Sequence, residues 1–171
     1  MDKKTLKVMF SSENDGWATP QGFFDELSQR YNFTLDPCAT DATAKCEKYF
    51  TKEDDGLAQD WSGNSVFMNP PYGRGIAKWI KKAYEEGQKQ KTVVVCLIPS
   101  RTDTKYWHEY CMKAHEIHFI KGRLKFGDSK NSAPFPSAVV VFRPELTALY
   151  GGNYPKIYTI NSKGIKNEHI S

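Results

Sequence analysis

The sequence has few features of a secreted, membrane or metal-binding protein. Its 4 cysteines, Cys38, Cys46, Cys96 and Cys111, form no C-x-x-C pair and have no regular spacing. The charged start at residues 1–4 is followed by only a short apolar stretch, which does not resemble a signal peptide. No apolar run approaches the roughly 20 residues that cross a bilayer. These absences predict a cytoplasmic protein with free thiols.

Neither the net charge nor the spacing of the histidines indicates a particular ligand. The 171 residues include 24 Lys and Arg against 20 Asp and Glu, a formal net charge of +4. This balance permits a polyanionic partner without requiring one. His115 and His118 could suggest a metal ligand pair, but they lie in an alternating, strand-like run with no third ligand nearby. We therefore predict no metal site.

Segments with helical and strand periodicity alternate along the chain, and they predict an α/β fold with a mostly parallel sheet. The last two strands leave no room for a helix between them, which predicts an antiparallel C-terminal strand. We expect one domain over 1–171, with a core at about 17–144 and a loosely attached tail over 145–171. The predicted helices are 20–31, a short one from Thr40 or Asp41 to about Lys48, 76–87 and 106–114; the predicted strands are 33–35, 65–68, 92–98, 117–120, 123–126 and 138–142.

The most unusual stretch is Asn69-Pro70-Pro71-Tyr72, which follows the apolar run 65–68. Two prolines end a strand, because each lacks an amide hydrogen and fixes its own φ. Asparagine–proline and proline–proline pairs also mark ordinary turns, which is the alternative interpretation. A position after a buried strand and before a helix favours a site, because ligands bind at the carboxyl edge of such sheets.

The quartet has the chemistry to bind an exocyclic amine. The Asn69 side chain and the Pro70 backbone each offer a carbonyl acceptor, and an –NH2 group has two hydrogens to donate. Binding both hydrogens draws the nitrogen towards sp³ geometry and frees its lone pair for attack. The prolines hold the acceptors rigidly, and Tyr72 offers a face for stacking a planar base.

The quartet resembles the catalytic motif of S-adenosylmethionine-dependent amino-methyltransferases that act on adenine N6. The order of further motifs resembles the phage family of DNA N6-adenine (Dam-type) methyltransferases, from about residue 17 to residue 144. These motifs are Trp17-Ala18-Thr19-Pro20, Leu35-Asp36-Pro37-Cys38-Ala39, Asp60-Trp61, Leu97-Ile98-Pro99 and Gly122-Arg123-Leu124-Lys125-Phe126. The resemblance implies a Rossmann-like methyltransferase sheet and direct, metal-free methyl transfer from S-adenosylmethionine to adenine in double-stranded DNA, with GATC as the associated site.

The resemblance also implies roles for individual residues. Asn69, Pro70, Pro71 and Tyr72 would hold and activate the base. The implied cofactor-binding residues are Trp17, Thr19, Pro20, Asp36, Pro37, Cys38, Asp54, Asp60 and Trp61. Alternative interpretations remain open for two of them: Asp54 as part of a solvated acidic turn and Cys38 as a packing residue. The glycine-rich loop usual after the first strand is replaced by Pro37-Cys38-Ala39-Thr40, and a loop without glycine approaches a ligand less closely.

The target adenine must leave the duplex before it can reach the quartet, and basic side chains should then bind the phosphates. The candidates are Arg74, Arg101, Lys105, Lys121, Arg123, Lys125 and Lys130. The quartet does not by itself distinguish DNA adenine from RNA adenine, cytosine N4 or a protein glutamine, since each presents an –NH2 group. A catalytically inactive nucleic-acid-binding module is a third hypothesis. The sequence indicates no obligate protein partner and no membrane partner.

Overall fold

The computed structural model describes residues 17–144, 155–163 and 168–169. Within them, eight strands form one sheet that carries helices between its parallel strands. The strands are β1 Leu35–Asp36, β2 Lys48–Tyr49, β3 Ser65–Met68, β4 Val93–Pro99, β5 Glu116–Lys121, β6 Ser137–Phe142, β7 Lys156–Asn161 and β8 Glu168–His169. The helices are α1 Gln21–Tyr31, α2 Ile76–Glu86 and α3 Lys105–Glu109, with a 3-10 turn at Cys111–Lys113.

The strand order is β2-β1-β3-β4-β6-β5-β7-β8. Strands β1 to β4 pair in parallel, and β6 runs antiparallel between β4 and β5. Strands β5 and β7 pair in parallel, so β5 and β7 point the same way as β1 to β4. The mostly parallel α/β fold with an antiparallel strand late in the chain is confirmed. This topology places the carboxyl ends of β1, β3, β4 and β5 along one edge of the sheet.

The middle of the sheet is the core of the fold. Every residue of β6 and all but the first residue of β4 are buried, as expected for strands covered on both faces. Helix α1 contributes its buried Phe24, whose ring meets Phe67 of β3 edge-on with centroids 5.1 Å apart. Gly87, directly after α2, lies so close to β6 that an added Cβ would be 2.5 Å from the Phe142 Cβ. The close approach explains the glycine at this position.

Three local predictions were wrong. Residues 40–47 form turns and bends rather than a short helix, and Lys48 begins β2, because the Lys45 backbone N–H donates to the Asp36 side chain and directs the chain back to the sheet. Residues 123–126 form no strand; they run as an irregular segment with Leu124 and Phe126 buried. The helix predicted over 106–114 ends at Glu109 and continues as the 3-10 turn.

The C-terminal part of the described chain differs from the loosely attached tail that we expected. Strand β7 pairs with β5 over six residue pairs, from Glu116↔Lys156 to Lys121↔Asn161. Ile160 is buried in the core. Residues 145–154 lie outside the described residues, and the single-domain organisation stays a prediction. In the described part of the chain, no helix has the length and apolar character needed to cross a membrane.

Candidate active site at the carboxyl edge of the sheet

Four strand ends converge at one edge of the sheet. β1 ends at Asp36, β3 is followed by Asn69, β4 ends before Ser100, and β5 ends at Lys121. Neighbouring parallel strands bring the first two together, because Leu35 of β1 is opposite Val66 of β3. The polar residues that follow these strands therefore lie in the position where open α/β sheets bind ligands.

A cleft opens at this edge, between the segment before α1 and the loops after β1 and β3. Its empty space is about 650 Å³, a volume that includes open solvent. Eight predicted site residues line it: Trp17, Thr19, Asp36, Cys38, Asn69, Pro70, Pro71 and Tyr72. The structure thus brings the catalytic quartet and nearly half of the predicted cofactor residues around one space.

The side-chain amide of Asn69 has one defined orientation. Its Nδ2 donates to the Trp17 carbonyl oxygen at 2.9 Å and to the Thr19 Oγ at 3.0 Å. A backbone carbonyl can only accept, so the amide nitrogen must face Trp17 and the Oδ1 must face away. No side-chain hydrogen bond caps the start of helix α1, and the buried hydroxyl of Thr19 accepts from Asn69.

The Asn69 Oδ1 forms a hydrogen bond with the Tyr72 hydroxyl. The Tyr72 hydroxyl donates to the Oδ1 at 2.8 Å. Burial raises the pKa of the Tyr72 phenol well above its ordinary value, so the group remains a hydrogen-bond donor. A carbonyl oxygen has two lone pairs, and the second remains available to an incoming amine.

The ring of Tyr72 is covered rather than exposed. Phe126 and Phe135 meet it edge-on with centroids 6.3 and 5.6 Å away, and Trp17 lies tilted against it at 6.4 Å. Only 3% of the Tyr72 residue surface is exposed. Of its three aromatic neighbours, Trp17 is the one that is not fully buried. Little of the Tyr72 ring is therefore open in this structure, and stacking of a base on it stays a prediction.

Asp36 is the acidic group of the cleft. It is 5% exposed, and its carboxylate accepts from the backbone N–H groups of Cys38 at 3.3 Å and Lys45 at 3.1 Å. Burial raises the pKa of the carboxyl to about 6, although those two backbone donors act in the opposite direction. Burial also raises the pKa of the Cys38 thiol, which makes Cys38 a packing residue rather than a nucleophile.

The remaining cofactor candidates lie away from the cleft lining. The Asp54 carboxylate caps its own turn by accepting from the Thr51 backbone N–H at 2.8 Å and the Thr51 hydroxyl at 3.0 Å. Asp60 accepts from the Ser62 hydroxyl at 2.6 Å and from Lys89 at 3.0 Å. These hydrogen bonds lower the pKa of both carboxyls. Direct contact of either with a cofactor stays a prediction.

Trp61 is fully buried, and its indole N–H donates to the Gly56 carbonyl at 2.9 Å. Its ring stacks on Trp79 with centroids 6.3 Å apart. This environment makes it part of the core, and it exposes no surface to a cofactor adenine. Pro20 and Pro37 adjoin the cleft through Thr19 and Cys38 without lining it.

Sequence reasoning missed five residues of the cleft. The lining also includes Ala18, Thr40, Thr43, Lys45 and Phe67. Thr40 and Thr43 close a turn in which their hydroxyl oxygens lie 2.8 Å apart. These two threonines were missed because the sequence pattern predicts a short helix over this stretch. The polar content of Thr40 to Lys45, directly after a strand that ends in a carboxylate, was the available signal.

All seven candidate DNA-contacting side chains are exposed, and all follow strands at the carboxyl edge. Arg74 lies in the turn between the quartet and α2. Arg101 and Lys105 follow β4, and Lys121 ends β5. Arg123, Lys125 and Lys130 belong to the segment 122–136 that joins β5 to β6. The structure places these cations on the same side of the molecule as Asn69; their contacts with DNA stay a prediction.

The segment 122–136, which we call the β5–β6 loop, is anchored at both ends and exposed at its tip. Leu124, Phe126, Ala133 and Phe135 are buried, whereas residues 127–132 are exposed. The Ala133 N–H donates to the Leu124 carbonyl at 2.7 Å, which closes the base of the loop. The Gly127 N–H donates to the Ala18 carbonyl at 2.8 Å. The loop is therefore attached directly to the segment that orients Asn69.

His115, Glu116 and His118 belong to a polar network at the opposite, amino-terminal end of β5. The His118 Nε2 lies 2.8 Å from a Glu116 carboxylate oxygen, and the Tyr31 hydroxyl donates to the same carboxylate at 3.1 Å. Among the residues that the structure describes, no cluster of three or more His, Cys, Asp or Glu is arranged to hold a metal ion.

The sequence model of the family "DNA N-6-adenine-methyltransferase (Dam)" matches residues 7–166. The chain is 31% identical over 166 residues to the DNA N-6-adenine-methyltransferase of Haemophilus phage HP1, an alignment that covers 90% of this chain and 94% of that protein. It is 32% identical over 112 residues to the DNA N-6-adenine-methyltransferase of Escherichia phage T1, covering 64% and 46% of the two proteins.

One solved structure also resembles the fold, that of the Type IIL restriction-modification enzyme MmeI in complex with DNA. The TM-score is 0.46 at 13% sequence identity, and the match covers 85% of this chain and 24% of the other. A likeness of this size does not bear on function.

Proposed function

The chain belongs to the DNA N-6-adenine-methyltransferase (Dam) family and is an adenine-specific DNA methyltransferase; we propose that it takes the methyl group from S-adenosylmethionine and transfers it to an adenine flipped out of duplex DNA. The observation that carries the proposal is the orientation of Asn69. Its amide nitrogen is fixed towards Trp17 and Thr19, its oxygen accepts from the Tyr72 hydroxyl, and Asn69 lines the same cleft as Asp36.

The residues of the cleft fit a nucleoside attached to an amino acid. Phe67 and the proline pair supply apolar surface, three threonines supply hydroxyl groups, and Asp36 supplies a buried carboxylate for a cation. When bound, S-adenosylmethionine supplies an electrophilic methyl group on a sulfonium. Asp36 would then hold the α-ammonium of the cofactor, since a buried carboxylate with a raised pKa is stabilised by a nearby cation.

The quartet would act on the adenine amine. The Asn69 Oδ1 accepts one N6 hydrogen through its second lone pair, and the Pro70 carbonyl is the acceptor that the motif offers to the other. A bound S-adenosylmethionine would supply the methyl group to N6 with its sulfur as the leaving group, and N6 would lose a proton to solvent. Acceptors already in place stabilise the positive charge that develops on N6.

The basic carboxyl edge supports DNA as the substrate. A base extruded from a duplex reaches the cleft while exposed cations of the β5–β6 loop bind phosphates. We propose GATC as the recognition site, following the family resemblance, and action in the cytoplasm of a bacterial or phage-infected cell.

Tritiated methyl transfer tests the reaction. Purified wild-type chain is incubated with labelled S-adenosylmethionine and duplexes that contain GATC or a scrambled site, with RNA and a glutamine-containing protein as controls. We expect label in adenine of the GATC duplex. Asn69→Ala should lower the rate by a factor on the order of 10² to 10³, as loss of one preorganised polar group does in other enzymes.

Three outcomes contradict parts of the proposal. Methyl transfer that survives Asn69→Ala contradicts the role of Asn69. Equal labelling of the scrambled duplex contradicts GATC. Binding of S-adenosylmethionine without transfer to any DNA contradicts the substrate.

Salt dependence tests the phosphate-binding surface separately from the chemistry. Arg123→Gln or Lys125→Gln should reduce the slope of log affinity against log salt by about one for each phosphate that the protein no longer neutralises. Filter binding of the GATC duplex over a range of salt concentrations measures the slope. A slope unchanged in both variants contradicts the assignment of the β5–β6 loop to the DNA backbone.

A further inference from the structure

The cleft contains two charged side chains of opposite sign. Among the residues that line it, Asp36 and Lys45 are charged, and the others are apolar, hydroxyl, amide or thiol groups. Of these two, the sequence indicated Asp36 alone. Lys45 lies in the irregular stretch between β1 and β2, a region in which glycine-rich loops of other folds bind phosphates through backbone amides.

The backbone fixes Lys45 beside Asp36. The Lys45 N–H donates to one carboxylate oxygen of Asp36 at 3.1 Å, and the Cys38 N–H donates to the other at 3.3 Å. Between them, the Ala44 N–H donates to the Thr40 carbonyl at 3.0 Å. The chain thus wraps around the carboxylate, and the side chain of Lys45 begins at the residue whose N–H is bonded to it.

The ammonium of Lys45 is held by a neutral group. Its Nζ donates to the Gln21 Oε1 of helix α1 at 2.8 Å, and the Gln21 amide nitrogen donates to Asp25 at 2.7 Å. Partial burial lowers the pKa of Lys45, against the opposing effect of Asp36 and Asp25. An ammonium has three hydrogens to donate, and the hydrogen bond to the neutral Gln21 amide uses one of them, so the group can still donate to an anionic oxygen. An anion brought into the cleft would therefore be stabilised there.

Asp36 can bind a cation in the same cleft in which Lys45 can bind an anion. The groups that donate to its carboxylate are neutral backbone amides, and the carboxylate is nearly fully buried. A cation brought into the cleft would be stabilised at this position. One small ligand group carries both charges on adjacent positions: the α-ammonium and α-carboxylate of a free amino acid.

We propose that Lys45 binds the α-carboxylate of the cofactor's methionine moiety while Asp36 binds its α-ammonium. The inference rests on S-adenosylmethionine as the cofactor of the proposed function. Lys45 and Gln21 supply for the carboxylate what a loop without glycine cannot supply through its backbone. Gln21 holds the ammonium in place before the ligand arrives, which limits the side-chain entropy lost on binding.

Measuring protein variants with two ligands isolates the contact between Lys45 and the α-carboxylate. Isothermal titration calorimetry measures the dissociation constants of S-adenosylmethionine and of decarboxylated S-adenosylmethionine, which lacks only the α-carboxylate. Each is measured with the wild-type chain, Lys45→Met, Lys45→Arg and Lys48→Met. Lys48 is the matched control, because it is exposed on neighbouring β2 and does not line the cleft.

The wild-type chain should bind the decarboxylated ligand about 10-fold or more weakly, the effect typical of removing a charge-assisted hydrogen bond. Lys45→Met should weaken binding of S-adenosylmethionine by a similar factor and leave the decarboxylated ligand nearly unaffected. Lys45→Arg should restore most of the discrimination, and Lys48→Met should retain all of it.

Equal weakening of both ligands by Lys45→Met would show that Lys45 supports the loop without contacting the carboxylate, and would overturn the inference alone. Unchanged binding of both would do the same. A wild-type chain that binds neither ligand would overturn the cofactor assignment in the proposed function, and this inference with it.

Discussion

Two acidic segments of the chain, one at Asp36 and one from Asp54 to Asp60, were predicted to bind the same cofactor. Their environments in the structure differ. Asp36 lies in the cleft with a carboxylate that burial has made harder to ionise. Asp54 and Asp60 lie on the surface, where hydrogen bonds from their own turns make them easier to ionise. Local turns satisfy the last two, and Lys89 adds a cation at Asp60. Asp36 is buried in the cleft and accepts from neutral backbone amides, so it is the carboxylate placed to bind a ligand. Of the four predictions below, those on Asp36 and Asp54 test this contrast directly.

Trp61→Ala gives the largest expected effect, on stability. Trp61 is fully buried and bonded to Gly56, so its truncation should lower the free energy of unfolding by about 3–5 kcal/mol. Urea unfolding measures this. The control is Trp79→Ala, which removes the half-buried stacking partner and should cost less. A small decrease in stability together with much weaker cofactor binding would instead support the predicted contact between Trp61 and the cofactor.

Thr19→Val should affect the chemical step. The substitution removes the hydroxyl that accepts from the Asn69 amide while keeping the shape of the side chain. We expect the methyl-transfer kcat to fall about 10-fold, the value of one hydrogen bond at a reacting group, with the cofactor dissociation constant unchanged. Thr19→Ser should restore the rate. Weaker cofactor binding with an unchanged kcat would make Thr19 a cofactor contact, the role that the sequence suggested.

The raised pKa of Asp36 predicts that cofactor affinity and folding stability change in opposite directions with pH. Its folded pKa of about 6 is above the ordinary 3.8. Its contribution to stability is therefore complete below the ordinary pKa and is lost as the pH rises through about 6. From pH 7 to pH 5 the ligand-free protein should gain about 1 kcal/mol from this group, while binding of the cationic cofactor should weaken about 10-fold.

Calorimetric titrations and urea unfolding at pH 5, 6 and 7 measure the two trends. The control is Asp36→Asn, which should bind weakly at every pH and show neither trend from this position. Cofactor binding that tightens as the pH falls would contradict the role of Asp36 as an anionic contact.

Asp54→Asn gives the smallest expected effect. Its carboxylate serves the turn at Thr51, so cofactor affinity should change by less than about twofold, which is under about 0.5 kcal/mol of binding free energy. The matched variant is Asp36→Asn, measured in the same titration. A decrease in affinity at Asp54 as large as that at Asp36 would remove the contrast between the two segments.

The features predicted best were those in which a local pattern and burial agree. The apolar runs 65–68 and 92–98 were predicted as strands and form β3 and β4; β3 ends before Asn69 as predicted, and β4 extends one residue further than predicted, to Pro99. Strand β7 was missed because its alternation, Lys-Ile-Tyr-Thr-Ile-Asn, stands among Gly, Asn and Ser residues typical of a tail. The polar composition around the strand hides its periodicity.

The parts of the site that the sequence could not reveal depend on contacts between distant residues. Thr19 and Pro20 have the pattern of a helix start, and only the approach of Asn69, 50 residues later, gives the Thr19 hydroxyl another partner. Lys45 enters the cleft because its backbone N–H binds Asp36. Trp61 lies in the core with its indole N–H bonded to the Gly56 carbonyl, and Gly56 itself packs so closely against the Pro37 carbonyl that a side chain would not fit there.

The hydrogen bond from Gly127 to Ala18 has a consequence for fidelity. Ala18 lies between the two residues whose oxygen atoms orient Asn69, and Gly127 begins the exposed tip of the β5–β6 loop. On the proposed function, a DNA sequence that the loop fits poorly would displace this tip, and the displacement would pass through one peptide to the amide proposed to activate the base. Discrimination between DNA sites can thus be expressed in the rate of methylation, even where the affinities for two sites are equal.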